Sequence, residues 1–315
     1  MVIKMGEINF SHIPVFYHEA VDALNVKPGG IYVDCTAGGG GHSSLIAGKL
    51  TTGRLISIDQ DPDAISALTK KFRGNEKVTL VKSNFERLAD ILKEQNVDKV
   101  DGILADLGVS SYQLDTADRG FSFHSDAPLD MRMSKNGMSA KDVVNSYGEN
   151  ELRNVISRYG EDKFASLIAK KIVEKRNEKE IETTFELAEI IKEAYPASAR
   201  RKSTGHPARK TFQALRIEVN GELEKLQNTI DVMFDSLKKE GRLSIITFHS
   251  LEDRIVKKSF NSYCQGCTCP PEFPVCVCGN KPKGKLCFKV KEPSEEELLN
   301  NSRSRSAKLR AIEKL

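Results

Sequence analysis

The stretch Ile31–Asp59, IYVDCTAGGGGHSSLIAGKLTTGRLISID, constrains this chain more than any other. Ile31, Tyr32 and Val33 form a buried-strand pattern, Gly38 to Gly41 force a sharp turn, Ser43 to Leu50 supply a helix, and Leu55 to Ile58 supply a second strand closed by Asp59. In such a unit the free N–H groups at the helix start face a ligand, and an acid closing the second strand accepts hydrogen bonds from ribose hydroxyls. Asp59 stands 18 residues beyond Gly41, the spacing of a nucleoside clamp. The competing reading makes the glycines an ordinary turn and Asp59 a cap for the helix beginning near Asp61.

A dinucleotide loop asks for G-x-G-x-x-G, and here the third glycine position falls on Ser43 or Ser44. Asp34, still on the first strand, brings a carboxylate toward the ligand, which suits a cation better than a pyrophosphate. The residues therefore favour S-adenosylmethionine, a sulfonium carrying an ammonium group.

At 315 residues the chain has room for two domains, and its apolar and charged fractions are those of a soluble globular protein. It has no apolar run of membrane-span length, and MVIKMGEINF lacks the features of a signal peptide, so a cytoplasmic protein without membrane contact is expected. A net charge of +4 is modest, so a nucleic-acid surface must come from local clusters. One lies between Lys192 and Gly221, where Arg200, Arg201, Lys202, Arg209 and Lys210 fall in the breaker-rich SARRKSTGHPARK, predicted to be a loop that contacts RNA phosphates. The other lies between Lys257 and Lys291. Two solvated faces are the rival reading.

After Asp59 the pattern alternates: helix Asp63–Phe72, strand Val78–Val81, helix Glu86–Gln95, strand Gly102–Ala105 ending at Asp106. Repeated βα units predict a parallel, doubly wound sheet with its chemistry beyond the carboxyl ends of the strands. Asn84 and Phe85 offer an adenine edge and ring a polar group and an aromatic face, although Phe85 fits a core equally well. Past Asp106 the alternation stops and helical patterning takes over, predicting an insertion. It opens with the irregular segment Asp118–Met133, whose aromatics and arginines suit base stacking or a loop packed on its own domain. Helices follow at 142–147, 149–158, 163–175 and 184–194. From Thr211 the pattern is helical to Lys239, with a break at Gly221, before a strand Leu243–Thr247, the run Phe248, His249, Ser250, and a helix Leu251–Tyr263.

HIPV, DCTAGGGGHS, SIDQDPDA, SNF, DLGVSSYQLD, GFSF with PLDMRM, HPARKTFQALRIEVNGEL, ITFHSLEDRIVK and RSRSAKLR resemble the MraW/RsmH family of bacterial methyltransferases over nearly the whole chain. The resemblance implies an α/β fold, a Rossmann-like class I methyltransferase sheet interrupted by an all-helical insertion. The domains are expected at 1–113, 114–220 and 221–315, the last with a Cys-rich loop at 264–287 and a basic C-terminal tail. It further implies methyl transfer from S-adenosylmethionine to N4 of a cytidine in the decoding region of 16S ribosomal RNA. The substrate would be met within the small ribosomal subunit, by a monomer or homodimer. By the same likeness Gly40, Gly41, His42, Asp59, Phe85, Asp106 and Gln113 fall on cofactor-binding positions.

An exocyclic amine of cytosine is a poor nucleophile because its lone pair is delocalised into the ring, so the site must supply acceptors for its N–H groups. Many amino-methyltransferases use an Asp/Asn-Pro-Pro-aromatic turn after the fourth strand, whereas this chain has Asp106, Leu107, Gly108, Val109 and Ser110. The acid is kept and the prolines are not. Asp106 is assigned to the cofactor, Ser110 to the neighbourhood of the amine, and His249 to acceptor or base, with structural roles as rivals for the last two. A small-molecule or protein methyltransferase and a non-enzymatic RNA-binding module are the alternatives, separated by RNA labelling and by cofactor binding.

Six of the seven cysteines fall between Cys264 and Cys287. Cys267, Cys269, Cys276 and Cys278 read as a zinc set, with Cys264 an alternative to Cys267. The C-x-C pairs are tighter than a C-x2-C knuckle, and the family resembled does not depend on metal, so free thiols in a Pro-rich loop are the rival.

Overall fold

The computed structural model describes residues 14–202, 205–270, 272–275 and 277–315, with the backbone alone at Lys202. The chain forms two compact units, dividing after Gly108 and again before Glu224, where the sequence reading places its cuts at 113 and 220.

The first unit is built on seven strands, β1 (Ile31–Asp34), β2 (Arg54–Asp59), β3 (Val78–Lys82), β4 (Val100–Asp106), β5 (Leu237–Thr247), β6 (Gly284–Leu286) and β7 (Lys308–Lys314). They lie in the order β3-β2-β1-β4-β5-β7-β6, with the first five parallel and β7 antiparallel to both of its neighbours. Successive residues of a strand point to opposite faces, and here each face has its own core. Val33, Ile56, Ile103 and Ile245 belong to one cluster, while Tyr32, Leu55, Leu104 and Ile246 belong to the other. A sheet covered on both faces must read as nearly continuous hydrophobic strands, which is why β1, β2 and β4 were legible.

Four helices belong to the βα half: α1 (Glu19–Ala23), α2 (Gly41–Lys49), α3 (Pro62–Lys71) and α4 (Leu88–Glu94). Pro62 opens α3 where its missing N–H costs nothing, and the Asp61 side chain caps it by accepting from Asp63 N at 2.9 Å. The second unit is helical: α5 (Ser111–Asp115), α6 (Ala140–Ser146), α7 (Glu149–Gly160), α8 (Ala165–Glu178), α9 (Thr184–Ala194), α10 (Ala197–Lys202) and α11 (Ala208–Asn220). Their apolar faces meet in a separate core that includes Val143, Leu152, Ile168, Leu187 and Leu215. The chain then returns through α12 (Glu222–Asp235) to β5, and α13 (Ser250–Cys264) and α14 (Glu295–Asn300) complete the first unit. No helix among the described residues is long and apolar enough to cross a membrane.

Three features differ from the sequence reading. The basic segment SARRKSTGHPARK is not a loop, because α10 and the start of α11 take up most of it. The helix expected to run to Lys239 ends at Asp235, and β5 begins at Leu237; its exposed Lys238, Lys239 and Glu240 hide the strand pattern, and Glu240 has φ +64°. The tail read only as basic contains β7. Arg310 obscures its alternation: buried on the face shared with Ile312, it makes a two-pronged contact with Asp253 of α13 at 2.7 and 3.1 Å.

Candidate active site

The carboxyl ends of β1, β2 and β4 each carry an acid: Asp34, Asp59 and Asp106. β1 lies between β2 and β4, so these ends flank the point where the chain's winding reverses. Asp34 is 1% exposed, and it accepts hydrogen bonds from Ser43 Oγ at 2.6 Å and from Thr36 N at 3.2 Å. The Ser43 and Ser57 hydroxyls lie 2.9 Å apart. Asp34 is thus a buried charge held by its own chain rather than a group presented to a ligand. It still acts at a distance, because its charge raises the pKa of both Asp59 and Asp106.

Asp59 accepts from Gly38 N at 2.7 Å on one oxygen and from Asp61 N at 2.8 Å on the other. The helix cap is Asp61, so Asp59 is not the cap of the competing sequence reading; it fixes the glycine loop to the end of β2. Gly38 and Gly40 have φ of +50° and +73°, the left-handed conformation that side chains disfavour. A Cβ on Gly40 would meet Leu68 Cδ2 at 2.7 Å, and one on Gly41 would meet Pro14 Cγ at 2.2 Å. These two glycines therefore serve close packing of the protein on itself on the side their Cβ atoms would occupy.

Asp106 is held by its backbone, which donates to Thr36 Oγ1 at 2.6 Å. Its Oδ1 is buried and has no hydrogen-bond partner, and its Oδ2 lies 3.8 Å from His42 Nδ1. That contact is no ion pair at neutral pH, since burial lowers the His42 pKa to about 4 against the opposing pull of the Val15 and Phe16 backbone. Burial, with the charges of Asp34 and Glu252, holds the Asp106 carboxyl well above the usual carboxylate range. Burial likewise raises Asp34 and Asp59 to about 6. Three desolvated acids, two of them raised further by the charge of Asp34, make a site that gains from a bound cation.

Asn84 and Phe85 follow β3, as expected, but Asn84 donates to Gln60 Oε1 at 2.8 Å and accepts from Glu86 N at 3.0 Å. Phe85 is half-buried and packs against the sheet core. His249 is the N-cap of α13: its Nδ1 accepts from Glu252 N at 3.4 Å, while Glu252 Oε2 accepts from Phe248 N at 2.8 Å and His249 N at 3.3 Å. Its Nδ1 is used in the cap, while its buried Nε2 lies 3.1 Å from Glu252 Oε1 without a hydrogen-bond partner. Glu252, 2% exposed, was missed by the sequence reading; the spacing H-x-x-E is a capping-box signal that marks it.

In the helical unit Ser110 and Gln113 form a second capping box. Ser110 Oγ accepts from Gln113 N at 3.2 Å, and Gln113 Oε1 accepts from Ser110 N at 3.0 Å. Both side chains hold the start of α5. The segment Asp118–Met133 is packed on its own domain. Arg119 is buried and donates to the carbonyls of Arg132 and Met133, Phe121 lies in the core, Arg132 pairs with Asp130, and Phe123 stacks on His206 at 4.6 Å. Arg200, Arg201 and Arg209 are exposed, and none makes an ion pair with a carboxylate among the described residues; exposed Lys210 donates to Glu161 O at 2.9 Å. The Lys202 side chain lies outside the described residues. Cys267, Cys269 and Cys278 do come together, their sulfurs within 4.8 Å of one another, while Cys276 lies outside the described residues.

A sheet of this order with its single reversed strand is a Rossmann-like class I methyltransferase sheet. The chain belongs to the MraW methylase family, whose model matches residues 9–315. It is 56% identical over 316 residues to ribosomal RNA small subunit methyltransferase H of Lachnospira eligens, covering 99% of this chain and all of that protein. The enzymes of the same name from Clostridium botulinum strain Okra and Brevibacillus brevis are 55% and 53% identical, covering 98% and 99% of this chain and all of each relative. A solved rRNA methylase from Streptococcus thermophilus aligns over 97% of this chain and 99% of that one at 12% identity and TM-score 0.43, too remote to bear on the site.

Proposed function

We propose that this protein transfers a methyl group from S-adenosylmethionine to N4 of a cytidine in the decoding region of 16S ribosomal RNA, in the cytoplasm and within the small ribosomal subunit. The names and full-length identity of its relatives support the RNA substrate. The observation that carries the chemistry is the buried, unpartnered oxygen of Asp106 at the end of β4. The donor set fits the cofactor: Asp59 offers carboxylate lone pairs to ribose hydroxyls, and the three acids favour a cation.

When bound, S-adenosylmethionine supplies a methyl group activated by its sulfonium. An amine that takes that methyl group would have to give up a proton. Asp106 accepts a hydrogen bond from the amine, which draws the nitrogen lone pair out of the ring and gives that proton a place to go. Glu252 and His249 hold the neighbouring strand end rigid around it. Incubating the protein with labelled cofactor and small subunits, then mapping the label by nuclease digestion and mass spectrometry, tests this reading. Label on another base, or none from a protein that binds the cofactor, overturns it.

The exposed arginines of α10 and α11 are assigned to the RNA backbone. Replacing Arg200, Arg201 and Arg209 with Ser is expected to weaken RNA binding and to flatten its log–log salt slope by about 0.7 to 0.9 for each phosphate that is no longer neutralised. Cofactor affinity should stay the same. An unchanged salt slope returns this surface to a solvated face.

A further inference from the structure

The segment between α13 and β6 cannot owe its fold to hydrophobic burial. None of its described residues from Gln265 to Lys283 is buried, and Phe273, Val275 and Val277 are 51%, 70% and 73% exposed. What it has instead is a core of sulfur. Cys267 and Cys278 Sγ lie 3.7 Å apart, and Cys269 Sγ joins them within 4.8 Å. A disulfide needs about 2.05 Å between sulfurs, so these two are not bonded to each other. Two ligands on a tetrahedral zinc with arms of about 2.3 Å stand roughly 3.8 Å apart, which is the separation found.

The backbone turns its donors toward the same three sulfurs. Cys278 Sγ accepts from Thr268 N at 3.3 Å and Asn280 N at 3.4 Å, Cys267 Sγ accepts from Cys269 N at 3.4 Å, and Cys269 Sγ accepts from Val277 N and Cys278 N, each at 3.3 Å. A neutral thiol is a weak acceptor, and so many N–H groups aimed at it gain little; a thiolate is a strong one. Donors of this kind around metal-bound sulfur orient the ligands and spread their charge. Asn280 closes the segment by donating to Gln265 O at 3.2 Å and Gly266 O at 2.7 Å. These contacts draw 265–269 and 277–280 into one knuckle-like fold.

We infer that Cys267, Cys269 and Cys278 are thiolate ligands of a structural zinc ion that replaces a hydrophobic core for this segment. Its ligands include none of the strand-end acids, and the ion organises the segment rather than the methyl transfer. Three soft sulfur ligands select zinc over the hard cations, and ligands two residues apart in the chain are accommodated because the backbone N–H groups relieve their crowding.

The test uses the full-length protein purified without chelator. Elemental analysis is expected to find about one zinc per chain, held by this cysteine cluster, and cobalt(II) in its place should give sulfur-to-metal charge-transfer absorption. Cys267→Ser and Cys278→Ser should each lose the metal and expose the segment to proteolysis, while Cys287→Ser, outside the cluster, should keep it. Binding of S-adenosylhomocysteine by the two metal-free variants is expected to be unchanged, which separates loss of the ion from loss of the fold. Zinc well below one per chain with no cobalt charge-transfer band, iron in its place, or full metal content in Cys267→Ser and Cys278→Ser overturns the inference.

Discussion

Asp106→Asn is expected to lower kcat by about 10²- to 10³-fold, the range seen when one well-placed group that stabilises a transition state is removed. The substitution keeps the size of the side chain and the bond from the backbone N–H to Thr36, so the β4 end stays where it is. What changes is the buried oxygen's capacity to accept the amine proton. Stability should move the other way. Asp106 has a raised carboxyl pKa in the folded protein, so the native state binds more protons than the unfolded one, and stability falls as pH rises through that window. Asparagine has no such dependence, so Tm at neutral pH should hold or rise as activity collapses. A folded Asp106→Asn protein with wild-type kcat removes Asp106 from the chemistry.

The second large effect is on the cofactor. Asp59→Ala should weaken S-adenosylhomocysteine binding roughly tenfold or more, since hydrogen bonds to a charged group contribute about 1.5 to 3 kcal/mol. The same variant frees the N–H groups of Gly38 and Asp61, so Asp59→Asn is the needed companion: it keeps an acceptor and should lose less. Burial raises Asp59 to about 6, so its acceptor charge is lost as pH falls through that value. Affinity in the wild type should therefore decline below about pH 6 by up to tenfold per unit, and in Asp59→Ala this component should vanish. Calorimetry showing unchanged affinity in folded Asp59→Ala would sink the assignment.

The sheet's inner strands and the acids that end them were readable because a buried parallel strand is apolar on both faces and an acid at its end interrupts it abruptly. Asp59 and Asp106 stand out for that reason. Ser110 and His249 each hold the start of a helix, the structural role kept as the rival reading, because a polar residue at the end of a strand looks the same whether it faces a substrate or caps the next helix. What distinguishes them is the partner three residues on, Gln113 and Glu252, a local signal present in the sequence. The basic stretch around Arg200 was taken for a loop because its breakers outweighed the helix-forming run ASARRK. β7 was hidden by Arg310, a charge buried only because Asp253, 57 positions earlier, meets it. No local pattern reports a partner that far away.

The insertion of a self-contained helical unit between β4 and β5, with β7 last of the seven strands and seated between β5 and β6, sets a timetable for synthesis. A nascent chain emerging from the ribosome completes the helical unit while the sheet still consists of β1 to β4. The free edge of β4 must then wait for β5, and β5 keeps an unpaired edge until β7 is translated. Exposed strand edges invite pairing with other chains. Ribosomes that stall before codon 308 would thus release chains with one folded unit and one adhesive half-sheet.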